Sequence, residues 1–154
     1  MANIYLLDTN IITALSENDP VAWEQVFAHF AEEIVTCFIV VAEWELGILT
    51  AHGRRRQQEI RAKGEQVLPN LARVLESSPE VSLAYAQIAS ELRKAGTMIP
   101  LHDMWIAAVA RVNGATVVTH DRHFKYVANL TVVDWTVPAE TERKSENYEP
   151  TTRI

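Results

Sequence analysis

The feature that most constrains the fold of this chain is an apolar segment near its start that ends directly in an acid. Ile4-Tyr5-Leu6-Leu7 is followed by Asp8. Four apolar residues in succession predict a short buried strand. Ligands of open parallel sheets bind just beyond the carboxyl ends of the strands. A carboxylate buried there is costly unless it meets a cation or hydrogen-bond donors. We therefore expect Asp8 to belong to a site that other segments complete.

The rest of the chain alternates between helical spacing of apolar residues and short β-branched segments. Further strands are predicted at 34–37, 72–75, 115–119 and 130–133. Helices are predicted at 11–15, 20–30, 40–52, 54–68, 79–95 and 101–113. Thr9 or Asn10 is expected to cap the first helix, and Gly53 to end the third. This alternation is typical of an α/β fold with a mainly parallel central sheet.

The composition changes near Pro138. Residues 1–137 carry every predicted element and are expected to form one domain, whereas residues 138–154 are polar and contain almost no core-forming side chains. We expect residues 138–154 to be a mobile tail.

Composition argues against a membrane or secreted protein. No apolar run approaches the roughly 20 residues that span a bilayer, and a signal peptide is not expected because no basic region precedes the first apolar segment. The single cysteine, Cys37, excludes an intrachain disulfide, and its apolar neighbours predict a buried residue. A cytoplasmic setting follows. The net charge of −6 argues weakly against a nonspecific nucleic-acid binder.

Three further acids are placed where they could reach Asp8. Asp121 follows a strand as Asp8 does, Asp103 lies in the first turn of a helix, and Glu43 interrupts an apolar helical stretch. Taken singly, each acid has an ordinary explanation. Asp8 could cap the helix that follows it, and Asp103 could be a cap or a first-turn acid favoured by the helix dipole. Asp121 could start a turn, and Glu43 could be an exposed helix residue. Together, four carboxylates without a basic partner nearby would repel one another, and a divalent cation would resolve that repulsion.

Four segments of the chain resemble the signature blocks of PIN-domain ribonucleases, and most of all those of the VapC/FitB-type toxins of type II toxin–antitoxin systems. They are Leu6-Leu7-Asp8-Thr9-Asn10, Val41-Ala42-Glu43-Trp44-Glu45-Leu46-Gly47, Asp103-Met104-Trp105-Ile106-Ala107-Ala108 and Val118-Thr119-His120-Asp121-Arg122-His123-Phe124. One such block is a weak signal, whereas four in the expected order are a strong one.

The resemblance implies a Rossmann-like, three-layer α/β/α sandwich with Mg²⁺- or Mn²⁺-dependent endoribonuclease activity, in which a metal-activated water attacks the RNA phosphodiester. Oxygen ligands suit these ions better than zinc. Asp8, Glu43, Asp103 and Asp121 fall on the family's catalytic acidic positions. Asp8 and Asp103 would ligate the metal directly. Glu43 and Asp121 would complete the pocket.

Two polar residues, Asn10 and Thr119, match family positions that support the site by hydrogen bonding. Glu45 lies two residues from Glu43 on the same predicted helix, which turns its side chain about 200° away. The gap from Glu43 to Gly47 matches the family better, so we assign the site to Glu43. The resemblance also implies a homodimer and a cognate antitoxin as protein partner.

The histidines and cations near the acids have several interpretations. His102, His120 and His123 flank site acids, but adjacent residues point in different directions, so we do not expect them to bind the metal. Arg122 and Lys125 are candidate RNA contacts. The arginine-rich helix predicted at 54–68 is either a solvated face or a positive surface beside the pocket.

Two other functions are compatible with acids at the ends of strands. A non-catalytic PIN-like module would bind RNA or a protein without cleaving it, although such a module has no reason to keep mutually repelling carboxylates. A domain that transfers phosphate through an aspartate is the second alternative. Dehalogenase-like domains place a second acid where this chain has Asn10, and receiver domains place a lysine after a late strand, where none follows Val118.

Overall fold

A computed structural model of the chain describes residues 2–138, so the predicted polar tail lies outside the described residues except for Pro138. Within this range, five parallel strands form one sheet in the order β3-β2-β1-β4-β5. The strands are β1 (Ile4–Leu7), β2 (Glu33–Cys37), β3 (Val74–Leu75), β4 (Thr116–Val118) and β5 (Val132–Val133). Each predicted strand is present, and the last three are shorter than expected.

Six α-helices and two 3₁₀ turns connect the strands in the described part of the chain. The helices are α1 (Thr9–Ser16), α2 (Pro20–Ala28), α3 (Phe38–Thr50), α4 (Arg54–Gly64), α5 (Pro79–Ala95) and α6 (Leu101–Asn113). The 3₁₀ turns are Leu68–Asn70 and Arg122–Tyr126. No helix within residues 2–138 is both long and apolar enough to cross a membrane.

The order of the strands places helices on both faces of the sheet. From β1 the chain moves outward through β2 to β3, and then it crosses back beyond β1 to reach β4. Because parallel crossovers are right-handed, this reversal puts α1 to α4 on one face and α5 and α6 on the other. The three-layer α/β/α prediction is confirmed. The reversal also makes the gap between β1 and β4 the switch point at which such sheets bind ligands.

The central strands and α6 form the floor of that switch point. Leu7 of β1 pairs with Val118 of β4, and both side chains are fully buried. Ala107, Ala108 and Ala110 of α6 are also fully buried. Small side chains let a helix lie close to its neighbours, so α6 holds its first turn near the ends of these strands.

Several predicted helix boundaries are wrong. The helices predicted to end at residues 30 and 68 end at Ala28 and Gly64. The cap of α1 is Asp8 rather than Thr9 or Asn10, because the Asp8 carboxylate accepts a hydrogen bond from the first backbone N–H of the helix. Gly53 does not end α3. Instead α3 ends at Thr50, and Gly53 precedes α4 with a φ of 82°, a conformation that side chains other than glycine rarely adopt.

The contact between α3 and α4 yields a test of the packing. A Cβ atom at Gly64 would stand 2.6 to 2.8 Å from three atoms of the Trp44 indole. Trp44 is only 8% exposed and has little room to move. We expect Gly64→Ala to lower the free energy of unfolding by about 1–3 kcal/mol, the usual effect of overpacking a core.

Gly47→Ala is the matched control for this prediction. No atom lies within 4 Å of a Cβ at Gly47, so alanine there should raise the free energy of unfolding by up to about 1 kcal/mol through its better helix propensity. Urea unfolding measures both variants. Equal unfolding midpoints for Gly64→Ala and Gly47→Ala would contradict the close packing of α4 on Trp44.

Candidate active site

Asp8 lies at the end of β1 with its carboxylate surrounded by donors. Its Oδ1 accepts the backbone N–H of Thr9 at 2.7 Å, and its Oδ2 accepts the Thr119 hydroxyl at 2.8 Å and the Asn10 amide at 3.2 Å. The residue is 5% exposed. These three donors compensate part of the cost of burying a charge.

Thr119 connects the ends of β1 and β4. Its hydroxyl donates to Asp8 and accepts from the Asn10 side chain at 3.0 Å and from the Asp121 backbone N–H at 2.9 Å. The Asn10 side-chain oxygen in turn accepts the His120 backbone N–H at 3.3 Å. Both polar residues expected from the sequence to support the site therefore contact its first acid.

Glu43 reaches the site from the middle of α3. Its Oε2 accepts a short hydrogen bond from the hydroxyl of Thr9, the residue next to Asp8. Glu45 instead forms a two-pronged ion pair with Arg61 of α4, with oxygen–nitrogen distances of 3.1 and 3.3 Å. The structure thus places Glu43 beside Asp8 and turns Glu45 away.

Asp103 and Asp121 lie close to each other. Asp103 lies in the first turn of α6, and Asp121 caps the 3₁₀ turn that follows β4. One ligand atom from each of Asp103, Asp121 and His123 fits within a mutual distance of 4.8 Å. The His123 Nδ1 atom is 3.0 Å from Asp103 and 2.8 Å from Asp121.

The electrostatics show that the acids share one environment. Burial raises the pKa of Asp8 from 3.8 to about 6, the hydrogen bonds from Thr119 and Thr9 oppose that rise, and the charges of Asp103 and Glu43 add to it. Burial likewise raises the pKa of Asp103, with further contributions from the charges of Asp121 and Glu43. The structure therefore places Asp8, Glu43 and Asp121 within electrostatic range of Asp103.

Two histidines lie closer to the acids than the sequence predicted. His102 Nδ1 is 2.9 Å from Glu43 Oε1, and His123 touches two of the acids. His102 contacts an acid on another helix and not the adjacent Asp103. The expectation that the histidines do not bind the metal stays a prediction, although His123 offers a ligand atom near those of Asp103 and Asp121. His123 lies on a 3₁₀ turn, which folds back within two residues. The two-residue spacing between Asp121 and His123 was the sequence signal that could have predicted this contact.

Other candidate residues occupy simpler environments. Arg122 and Lys125 are exposed on the 3₁₀ turn after Asp121. Trp105 stacks on Tyr85 with ring centroids 4.1 Å apart, so it is a packing residue. Cys37 is fully buried, and burial raises the pKa of its thiol to about 11, which removes it as a nucleophile.

The donor set fits a hard divalent cation. Within residues 2–138, no lysine or arginine forms an ion pair with any of the four acids. Carboxylate oxygens that raise one another's pKa bind a divalent cation favourably because the ion removes their repulsion. Among the described residues, Asp103, Asp121 and His123 offer ligand atoms close enough to hold such an ion together, and Asp8 and Glu43 lie within electrostatic range of Asp103. Carboxylate oxygens suit Mg²⁺ or Mn²⁺.

Comparisons with known proteins agree with this arrangement. The sequence model described as PIN domain matches residues 5–130. The chain is 34% identical to Ribonuclease VapC1 of Haemophilus influenzae over 136 residues, which cover 86% of this chain and 98% of that protein. It is 32% identical to Toxin FitB of Neisseria gonorrhoeae over 133 residues, which cover 82% and 94%.

A solved structure shows the same architecture. VapBC2 from Rickettsia felis, bound to a DNA fragment from its promoter, includes a chain that superposes with a TM-score of 0.77 at 26% identity. The match covers 86% of this chain and 98% of that one.

The raised pKa of Asp8 predicts how stability depends on pH in the presence of a chelator. The folded protein binds this proton more tightly than the unfolded chain does. The resulting stabilisation is complete below about pH 4 and is lost as the pH rises through the folded pKa of about 6. A pKa shift of this size corresponds to at most roughly 3 kcal/mol in the free energy of unfolding.

Asp8→Asn removes this titration and serves as the reference. Urea unfolding between pH 4 and pH 8 should show the parent losing up to roughly 3 kcal/mol relative to Asp8→Asn across that range. A difference between the two proteins that stays constant with pH would show that Asp8 is not buried among other acids.

Proposed function

The chain belongs to the PIN-domain family, and from that premise we propose that it is a metal-dependent endoribonuclease acting as the toxin of a type II toxin–antitoxin system. The proposal rests on the placement of Asp8, Glu43 and Asp121 within electrostatic range of Asp103 near the switch point of the sheet. Among the described residues, none of the four acids forms an ion pair with a lysine or arginine. The site would lie within one PIN domain spanning residues 1–137.

The metal would be held by Asp8 and Asp103, with Glu43 and Asp121 completing the pocket. We propose Mg²⁺ or Mn²⁺ as the ion. When bound, it would supply an activated water for attack on an RNA phosphodiester and would stabilise the charge that develops on the phosphate.

The surrounding residues hold these acids in place. Thr119 and Asn10 fix the orientation of the Asp8 carboxylate through the hydrogen bonds to its Oδ2. Thr9 does the same for Glu43. His123 bridges Asp103 and Asp121, which keeps both carboxylates directed at the same space. A site supported in this way needs little rearrangement before it binds a metal and a substrate.

The partners follow from the proposed function. Arg122 and Lys125 are exposed beside Asp121 and could contact RNA phosphates. The proposal includes a homodimer and a cognate antitoxin, supported by the similarity to Toxin FitB. We place the activity in the cytoplasm, where its RNA substrates would be.

Removal of a site carboxylate should abolish cleavage. We expect Asp8→Asn and Asp103→Asn to lower the rate of Mg²⁺- or Mn²⁺-dependent RNA cleavage by more than about 100-fold, the effect of deleting a group that stabilises the transition state. The purified variants would be assayed on total RNA, with circular dichroism to confirm that they are folded.

A pair of glutamates on α3 provides the internal control. Glu43→Gln should lose activity in the same way, whereas Glu45→Gln removes only an exposed ion pair with Arg61 and should cleave like the parent. Equal activities of Glu43→Gln and Glu45→Gln, or full activity of Asp8→Asn, would reject the assigned site.

Binding of the metal should stabilise the fold. At pH 8 Asp8 is ionised, so Mn²⁺ at about 100 times its Kd should raise the free energy of unfolding by about 2.7 kcal/mol. The gain should be smaller at pH 5, where Asp8 is protonated. Thermal unfolding of the parent and of Asp103→Asn, each with Mn²⁺ and with chelator, measures this effect. An equal gain in both proteins would place the ion elsewhere.

A further inference from the structure

A cavity of about 220 Å³ lies between α1, α3 and α4, directly beside the acids. It shares Thr9 and Glu43 with the candidate active site. These two residues are joined by the hydrogen bond from the Thr9 hydroxyl to Glu43. The cavity is therefore an extension of the active site, and the metal-binding role assigned to the acids leaves it unused.

The walls of the cavity combine apolar and hydroxyl surfaces. Trp44 and Gly47 of α3 and Ile60 of α4 form the apolar side. Thr13 and Ser16 of α1 also line it, with hydroxyls that donate to backbone carbonyls of the same helix and remain available as acceptors. An apolar surface facing a few hydroxyl groups suits a flat, heteroaromatic group such as a nucleobase.

Two cations of α4, Arg56 and Lys63, line the cavity together with two acids, Glu17 and Glu43. Lys63 pairs with Glu17 at 2.8 Å, and Arg56 pairs with Glu59 at 3.4 Å. All four of these side chains are at least 36% exposed. Exposed pairs of this kind contribute little stability, so either cation can exchange its carboxylate for a phosphate at small cost.

We propose that this cavity is a nucleotide subsite for the RNA substrate, with the base against the apolar wall and a phosphate on Arg56 and Lys63. This inference rests on the proposed ribonuclease function. A nucleotide held there would place an adjoining phosphodiester at the acids, because Thr9 and Glu43 belong to both spaces. The subsite would hold the RNA strand in register for cleavage.

An RNA strand fits these observations better than a protein segment does. The cavity offers cations and an apolar wall side by side at the catalytic acids, and single-stranded RNA presents phosphates and bases in that same alternation. The acids themselves repel phosphate until a metal is bound, so nearby cations are needed to retain the strand.

The subsite is tested by the binding of RNA to a variant that does not cleave it. The Asp103→Asn chain would be titrated in Mg²⁺ against a fluorescein-labelled, single-stranded oligoribonucleotide of mixed sequence, with anisotropy as the readout. In this background, Arg56→Gln should weaken binding about tenfold, as expected for the loss of one charge-assisted contact. It should also reduce the slope of log K against log[salt] by about 0.7.

Arg55→Gln is a closely matched control. Arg55 is the neighbouring arginine and pairs with the same Glu59 at 3.2 Å, but its side chain is 95% exposed and does not line the cavity. The Arg55→Gln variant should leave both the affinity for RNA and its salt dependence unchanged. The comparison separates a contact in the subsite from a general effect of net charge.

A second variant blocks the cavity without changing any charge. Because no atom lies within 4 Å of a Cβ at Gly47, Gly47→Leu should fold and fill part of the space. We expect it to weaken RNA binding at least tenfold. Thr50→Leu adds the same side chain at an exposed position of α3 outside the cavity. This variant should bind RNA as tightly as the parent background does. Thermal unfolding would confirm that both variants are folded.

The outcomes distinguish the subsite from the function on which it rests. Equal effects of Arg56→Gln and Arg55→Gln, or undiminished RNA binding by Gly47→Leu, would overturn the subsite. If Gly47→Leu instead weakens binding of a cognate antitoxin alone, the cavity is a protein-binding site and the inference is wrong. A parent protein that cleaves no RNA in Mg²⁺ or Mn²⁺ would reject the proposed function, which is a separate measurement.

Discussion

The carboxylate of Asp8, buried between the ends of β1 and β4, is the interaction on which the rest of the site depends. The chain leaves these two paired strands toward opposite faces of the sheet. The gap is closed by Thr119, which bonds to Asp8 from β4, and by Asn10, which bonds to both. One carboxylate therefore caps α1 and joins two strands.

Burial of the ionised Asp8 carboxylate near other acids lowers the stability of the folded state. Donors surround Asp8, yet burial and the nearby charges of Asp103 and Glu43 still raise its pKa to about 6. Near neutral pH the protein thus keeps a charge where the fold would favour a neutral group. A bound divalent cation removes that conflict, so one geometry explains both a stability cost and a metal site. The same geometry couples the acids to the cavity beside Glu43 through Thr9.

Most of the fold and the four acids could be predicted from the sequence because each strand, helix and acid has a recognisable pattern in its neighbouring residues. The apolar run before Asp8 and the helix between Leu101 and Asn113 were located to the residue. Thr9 and Asn10 were preferred as the cap of α1 because the candidates are adjacent polar residues, and the backbone conformation of Asp8 and the hydrogen bond that it accepts from Thr9 identify the true cap.

The contacts between elements could not be predicted in the same way. His102 and His123 touch acids on other segments, and those distances depend on how α3, α6 and the 3₁₀ turn pack. The cavity at Gly47 likewise depends on the angle between α3 and α4. Periodicity within one helix carries no information about that angle.

The most direct test of the central claim is anomalous diffraction from a crystal of the protein grown at pH 8 with Mn²⁺. We expect an anomalous manganese peak bounded by the carboxylates of Asp8, Glu43, Asp103 and Asp121. A well-ordered site with these side chains in place and no manganese peak among them would contradict it.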